Sequence, residues 1–222
     1  MASNIVAYIG IDNFDNILYL SRILTKLGKK VLIIDHSESL SIKYSIPQPE
    51  GVNCNREIIT YRQVDFTMAT LTREIVDLYD DILISYGFLV PEDDISYCNL
   101  VVYVTDLYQF NQERLVSQSD LYHLTENARK VLLIKVMIDI KISSEHITEQ
   151  VREQLQLESV SVLYRDEQDY SNGLICHYNG VFRFTDISKK LKKYLMVEVS
   201  QLHKDINKEQ LRTAYRRARR GD

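Results

Sequence analysis

Glycine and proline are scarce in this 222-residue chain, which has seven of the first and three of the second. So few chain breakers exclude long flexible linkers and predict short connections between regular elements. Cysteine is limited to Cys54, Cys98 and Cys176, far apart and without a Cys-x-x-Cys pair. That excludes a disulfide framework or a zinc knuckle and predicts reduced, buried thiols. The five histidines are scattered without a His-x-x-x-His spacing, so no metal cage is expected. No apolar run approaches the roughly 18 residues that cross a bilayer. The start, Met1-Ala2-Ser3-Asn4, has no basic region, and Asp12 and Asp15 interrupt the first apolar stretch. No signal peptide is read there, and a cytoplasmic protein is expected. A positive excess is also missing: a net charge of −4 argues against a whole-surface nucleic-acid binder.

What is present suffices for one large domain with a real core, at 45% hydrophobic and 26% charged residues. Short β-branched runs alternate with helical periodicity. Asn4–Ile9 reads as a buried strand. Ile17, Leu20, Leu24 and Leu27 mark one face of a helix over Asp15–Leu27, Gly28 closes it, and Lys29–Asp35 is the next strand. Further strands are predicted at Glu57–Tyr61, Asp81–Ser85, Leu100–Thr105, Val131–Ile138 and Val160–Tyr164. Helices are predicted at Met68–Leu78, Asn111–Thr125, Ser144–Leu155 (capped by Ser143 or Ser144), Asp186–Leu195 and Lys208–Arg220. Gly173–Phe184 reads as a strand, or as a hairpin turning at Asn179-Gly180. Segment 36–56 reads as a surface excursion. The pattern predicts a doubly wound α/β fold, a mainly parallel sheet with helices on both faces. Ile5–Ile9, Val31–Ile34, Ile82–Ile84, Val101–Val104 and Leu132–Val136 should form its centre, being apolar on both sides.

Charge divides the chain. Residues 204–222 hold seven Lys/Arg against three Asp/Glu, a local +4 that leaves −8 on residues 1–203. An α/β domain over 1–203 and a basic C-terminal helix or tail over 204–222 are therefore expected. In the tail, Leu211, Ala214, Tyr215 and Ala218 recur at helical spacing, with Arg212, Arg216, Arg217, Arg219 and Arg220 on the other faces. Its apolar positions are small, so it is expected to lie outside the core as a charge-driven contact with an acidic protein, anionic lipid or nucleic acid. Fifteen tyrosines stand against six phenylalanines and no tryptophan. Tyr86, Phe88, Tyr97, Tyr103, Tyr108 and Phe110 fall near the C-terminal ends of predicted strands, the edge that carries binding sites in such folds. Tyr86, Phe88, Tyr108 and Phe110 are the candidate residues of a protein interface, with core-edge packing as the alternative.

Asn-Ile-Val-Ala-Tyr-Ile-Gly over 4–10, a loop, and the run from Leu20 to Asp35 resemble the opening of the MinD/ParA family of dimerising P-loop ATPases. Tyr79–Ser85 resembles that family's strand with a terminal aspartate, and Asn99–Thr105 its next strand. The likeness runs in outline to residue 200. By this resemblance Gly10, Ile11, Asp12, Asn13, Asn16 and Ile17 stand in the phosphate loop. Such a loop needs glycines for close backbone approach, a lysine for phosphate charge and a hydroxyl for Mg²⁺. Only Gly10 remains. Ile11 stands where the family's signature lysine would be, Asn16 at the principal lysine and Ile17 at the hydroxyl residue. No lysine occurs between Ser3 and Thr25 to replace them. Ser85 stands at the metal-linked aspartate, while Asp35 is a retained strand-end acid that equally suits capping of the next turn. Asp12 and Asp15 place carboxylates where a nucleotide would bring phosphates; each like-charge pair at about 6 Å costs roughly 2–3 kcal/mol. One of the two is expected to cap the first helix. His36, beside Asp35, has no accompanying nucleophile motif.

The resemblance then implies a pseudo-ATPase without catalytic residues, cofactor or metal. It would act through protein partners, a homodimer among them, as a localisation or assembly factor for a pilus, secretion or partition machine. That places it in the cytoplasm or peripheral to a membrane-associated complex. Two alternatives stand beside it. One is an active ATPase or GTPase whose remodelled loop uses other basic residues. The other is an unrelated doubly wound regulatory module, against which Asp35 has no acidic neighbour.

Overall fold

The computed structural model describes residues 3–48, 57–90, 95–117, 125, 127–137, 149, 151–152, 154–180 and 184–220. Its strands are β1 (Asn4–Gly10), β2 (Val31–Asp35), β3 (Ile59–Tyr61), β4 (Val64–Thr67), β5 (Asp81–Gly87), β6 (Leu100–Thr105), β7 (Arg129–Val136) and β8 (Ser159–Tyr164). They form one sheet in the order β3-β4-β2-β5-β1-β6-β7-β8. Every adjacent pair is parallel except β3–β4 at one edge. All five runs expected at the centre lie in parallel pairings. Their continuous apolar texture follows from burial on both faces. Along β1, Ile5, Ala7 and Ile9 enter one core cluster, while Val6 and Tyr8 enter the other.

The helices are α1 (Phe14–Lys26), α2 (Ser41–Tyr44), α3 (Arg73–Val76), α4 (Gln109–Val116), α5 (Glu167–Asn179), α6 (Lys189–Leu202) and α7 (Lys208–Arg220). On one face α1 packs between the sheet and the pair α6–α7. It is covered from both sides, so every residue from Asp15 to Leu24 is buried. The other face is covered by Leu71, Ile95, Leu115 of α4, and Val151 and Leu155 from a short helical stretch.

Several sequence expectations give way to tertiary context. The C-terminal helix is part of the core: Leu211, Ala214, Tyr215 and Ala218 are buried and join the cluster beneath α1. Small alanines let α7 approach α1 closely, although their small apolar area predicts a helix outside the core. Residue 204 is therefore no packing boundary. The stretch read as a strand or hairpin over Gly173–Phe184 is mostly helix. Asp166 and Asp169 close a capping box at the start of α5, and Gly180 ends it at a left-handed φ of 55°. Asn179-Gly180 thus stops a helix, the other use of a residue that tolerates positive φ. The strand predicted at Glu57–Tyr61 is half of a hairpin whose second arm, β4, pairs parallel with β2. Its turn residues Arg62 and Gln63 both take positive φ, 50° and 68°, as a primed hairpin turn requires. Neither residue type advertises that turn. The helix predicted over Met68–Leu78 shrinks to Arg73–Val76. The caps at Ser143 or Ser144, most of Asn111–Thr125 beyond α4, and Cys54 lie outside the described residues.

Candidate functional site at the start of the first helix

The site forms where β1 ends and α1 begins, at the C-terminal edge of the parallel strands. Gly10 is needed there. Its φ is +121°, and an added Cβ would fall 2.0 Å from the Val104 carbonyl oxygen. That carbonyl accepts the Ile11 N–H at 3.0 Å, fastening the loop to β6. The next backbone donors are also taken by the chain itself. Phe14 N–H donates to Asp12 Oδ1 at 3.1 Å, Asn16 N–H to Asp15 Oδ1 at 2.9 Å, and Ile17 N–H to the Asn13 carbonyl at 3.2 Å. Asn13 is the N-cap residue but its side chain makes no capping bond; it accepts from Asn16 Nδ2 at 2.6 Å instead. The two acids therefore satisfy helix-start donors from positions beside the cap. Ile17 is fully buried in the core, and Ile11 packs against both apolar clusters.

Asp15 is the centre of a charge cluster that the local sequence does not reveal. It is 4% exposed and forms a close ion pair with Arg165, which follows β8. Lys135 on β7 lies 3.9 Å from its other oxygen and donates to the Asp12 carbonyl at 2.9 Å. Burial alone would push the Asp15 carboxyl up. Lys135, Arg165 and the Asn16 N–H outweigh it and hold the carboxyl below its usual value. Burial pushes the Lys135 ammonium down, against the opposing pull of Asp15. Beside the cluster opens a cavity of about 350 Å³ whose walls include Ile11, Phe14, Asp106, Met137, Tyr170 and Leu174. Lys135 carried one signal in the sequence, a single cation in the otherwise apolar run Val131–Ile138. Arg165 carried none.

The other sequence candidates separate. Asp35 is buried, and its carboxylate accepts from Ser37 Oγ at 2.6 Å and from the N–H groups of Ile42 and Lys43 at 3.1 and 3.0 Å. It shapes the turn into α2 and caps it. Ser85 lies buried in β5, in register with Asp35. Among the described residues no three His, Cys, Asp or Glu side chains converge on a metal-sized site. Tyr86 is fully buried and Phe88 nearly so, so neither presents the interface expected of it; Tyr103 is buried as well. Tyr108 and Phe110 are 63% and 58% exposed and stack at 5.4 Å.

A second apolar surface arises because helix replaces most of the strand or hairpin expected over Gly173–Phe184. Helix α5 is inverted: its buried face holds Asp169, Asn172, Gly173 and Cys176. Its exposed face shows Tyr170, Leu174, Ile175 and Tyr178. Phe14 reaches this helix through a ring contact with His177 at 6.1 Å. The basic residues also gather. Arg212, Arg216, Arg217, Arg219 and Arg220 of α7 are exposed, and so are Lys189, Lys190, Lys192 and Lys193 of α6. Lys192 Nζ lies 4.9 Å from the Tyr215 ring, which sets the two helices side by side. Four lysines in the first turns of α6 oppose the positive end of its dipole.

No known protein family matches the sequence, and no curated protein is similar to it. Solved structures do match the fold. The cell-division ATPase MinD of Pyrococcus furiosus aligns with a TM-score of 0.60 and 14% identity, covering 90% of this chain and 99% of that one. A plasmid partition protein of Borrelia burgdorferi B31, solved bound to AMPPNP, aligns at 0.57 and 14%, covering 97% and 99%. The MinC:MinD cell division complex of Aquifex aeolicus aligns at 0.58 and 14%, covering 80% and 86%. The fold is that of the MinD and ParA ATPases.

Proposed function

We propose, from a fold shared with MinD and ParA ATPases and a loop closed by its own side chains, that this chain is a non-catalytic protein of that type. It serves as an interaction, localisation or assembly factor for a larger machine such as a pilus, secretion or partition system. The observation that carries the reading is Asp15. A buried carboxylate takes the helix-start N–H and two cations, while Ile11, Asn16 and Ile17 supply no lysine and no hydroxyl. Nucleotide phosphates would add three or four negative charges to a seat already holding one, without a compensating loop lysine. What remains for the molecule is contact. The exposed apolar face of α5, with Tyr108 and Phe110, suits a protein partner or a second copy of the chain. The arginines of α7 and lysines of α6 suit an acidic protein, anionic lipid or nucleic acid. The MinC:MinD complex among the similar structures favours a partner-bound role.

Equilibrium binding of labelled ATP and GTP, with and without Mg²⁺, tests the reading together with a hydrolysis assay. No saturable binding and no turnover above background are expected. Mg²⁺-dependent saturable binding of either nucleotide overturns it. One observation favours a second reading, a remodelled ATPase: Lys135 and Arg165 do reach the loop from β7 and β8. In that case turnover would be present and lost in both Lys135→Ala and Arg165→Ala.

A further inference from the structure

We infer that Asp15 is an internal anion occupying an oxyanion seat, and that this seat accepts a phosphate-class ligand once the carboxylate is removed. The inference rests on the reading that the loop binds no nucleotide as it stands. Three kinds of donor surround the two Asp15 oxygens. They are the Asn16 N–H at the start of α1, the Arg165 guanidinium and the Lys135 ammonium. A helix-start amide with a guanidinium and an ammonium is a set that binds tetrahedral oxyanions well. Lys135 and Arg165 arrive from the far strands of the sheet, so the seat is specific to this chain's tertiary arrangement.

The seat also has polar capacity that a carboxylate does not use. Arg165 is 9% exposed, and its buried Nε has no hydrogen-bond partner. A carboxylate offers two oxygens; a phosphate offers four and can engage more of these donors. The adjoining cavity of about 350 Å³, lined by Lys135, Arg165 and Phe14, supplies room. Asp12 and Asp106 act on Lys135 through charge at longer range than Asp15, and their carboxylates have hydrogen-bond partners of their own. Asp12 is engaged by the hydroxyls of Ser39 and Ser41, each at 2.8 Å. Asp106 is engaged by the Tyr108 N–H at 2.9 Å and by Asn111 Nδ2 at 3.0 Å.

The test compares wild type, Asp15→Ala and the double variant Asp15→Ala/Arg165→Gln, using calorimetric titration with inorganic phosphate and pyrophosphate. Melting temperatures in phosphate and in chloride at equal ionic strength are measured alongside. Wild type should be indifferent to the anion. Asp15→Ala should bind pyrophosphate at least about tenfold more tightly than wild type, and should melt higher in phosphate than in chloride. Both gains should vanish in the double variant. A folded Asp15→Ala that matches wild type toward phosphate, or gains that persist in the double variant, would overturn the inference. If Asp15→Ala folds in neither salt, Asp15→Asn decides: it keeps the side-chain volume and drops the charge. It should show tighter pyrophosphate binding than wild type, and equality with wild type refutes the seat. Wild type binding ATP would sink the functional reading. A nucleotide-blind wild type with a phosphate-blind Asp15→Ala sinks only this inference.

Discussion

Replacing Glu198 with glutamine should stabilise this protein, and more so as pH rises. Glu198 lies on α6 and is only 8% exposed. Burial pushes its carboxyl up to about 7 from an ordinary 4.5, against a weaker pull from Arg129. Arg129 is half exposed and shared with Glu158 at 3.2 Å, which limits that pull. Tyr8 of β1 and Tyr194 of α6 feel the Glu198 charge and are themselves pushed up, first by burial. For an acid raised on folding, the folded state holds its proton where the unfolded chain has lost it. Stability therefore falls as pH rises from about 4.5 to about 7 and stays low above that. The ceiling on this cost is about 3 kcal/mol at pH 8 and about 1 kcal/mol at pH 5. Glu198→Gln is uncharged throughout and escapes it. The stability gap between variant and wild type should widen by about 2 kcal/mol between pH 5 and pH 8, roughly 4–8 °C in melting temperature at this chain length. Thermal unfolding of both proteins at the two pH values measures it, and other titrating groups cancel in the difference. A gap that does not change with pH would refute the reasoning, because the glutamate would then be ionised in both states.

The C-terminal helix separates core from charge. Ala218→Glu should cost about 3 kcal/mol or more by urea unfolding, because residue 218 is fully buried against α1. Exchanging the exposed Arg216, Arg217, Arg219 and Arg220 for serine should cost no more than about 2 kcal/mol in total. Equal losses in the two experiments would contradict the packing of α7. Gly10→Ala should destabilise strongly, on the order of 3 kcal/mol, because its Cβ would strike the Val104 carbonyl at 2.0 Å. Circular dichroism melts check it, and an unchanged melting temperature would mean that the β1–α1 loop is held differently.

Much of this protein was legible in one dimension. The five central strands announce themselves because strands buried on both faces read as near-continuous apolar runs, a local property that only Lys135 interrupts within those five runs. The helix over α1 follows from the spacing of its apolar residues. Where residue chemistry fits two conformations, the sequence stayed undecided or misled. Gly180 permits positive φ in a helix cap as readily as in a hairpin, and only the Asp166–Asp169 capping box and the packing of α5 select the helix. Alanines at 214 and 218 look too small to dock until α1 is brought near enough to need them small. The charge cluster at Asp15 lay furthest from view. Lys135 and Arg165 are far from Asp15 along the chain, and the order of parallel strands alone brings them to the start of α1. Strand order is set by crossovers and burial between distant segments, so the loop's own residues were written locally, and the partners that Asp15 meets were decided by the fold.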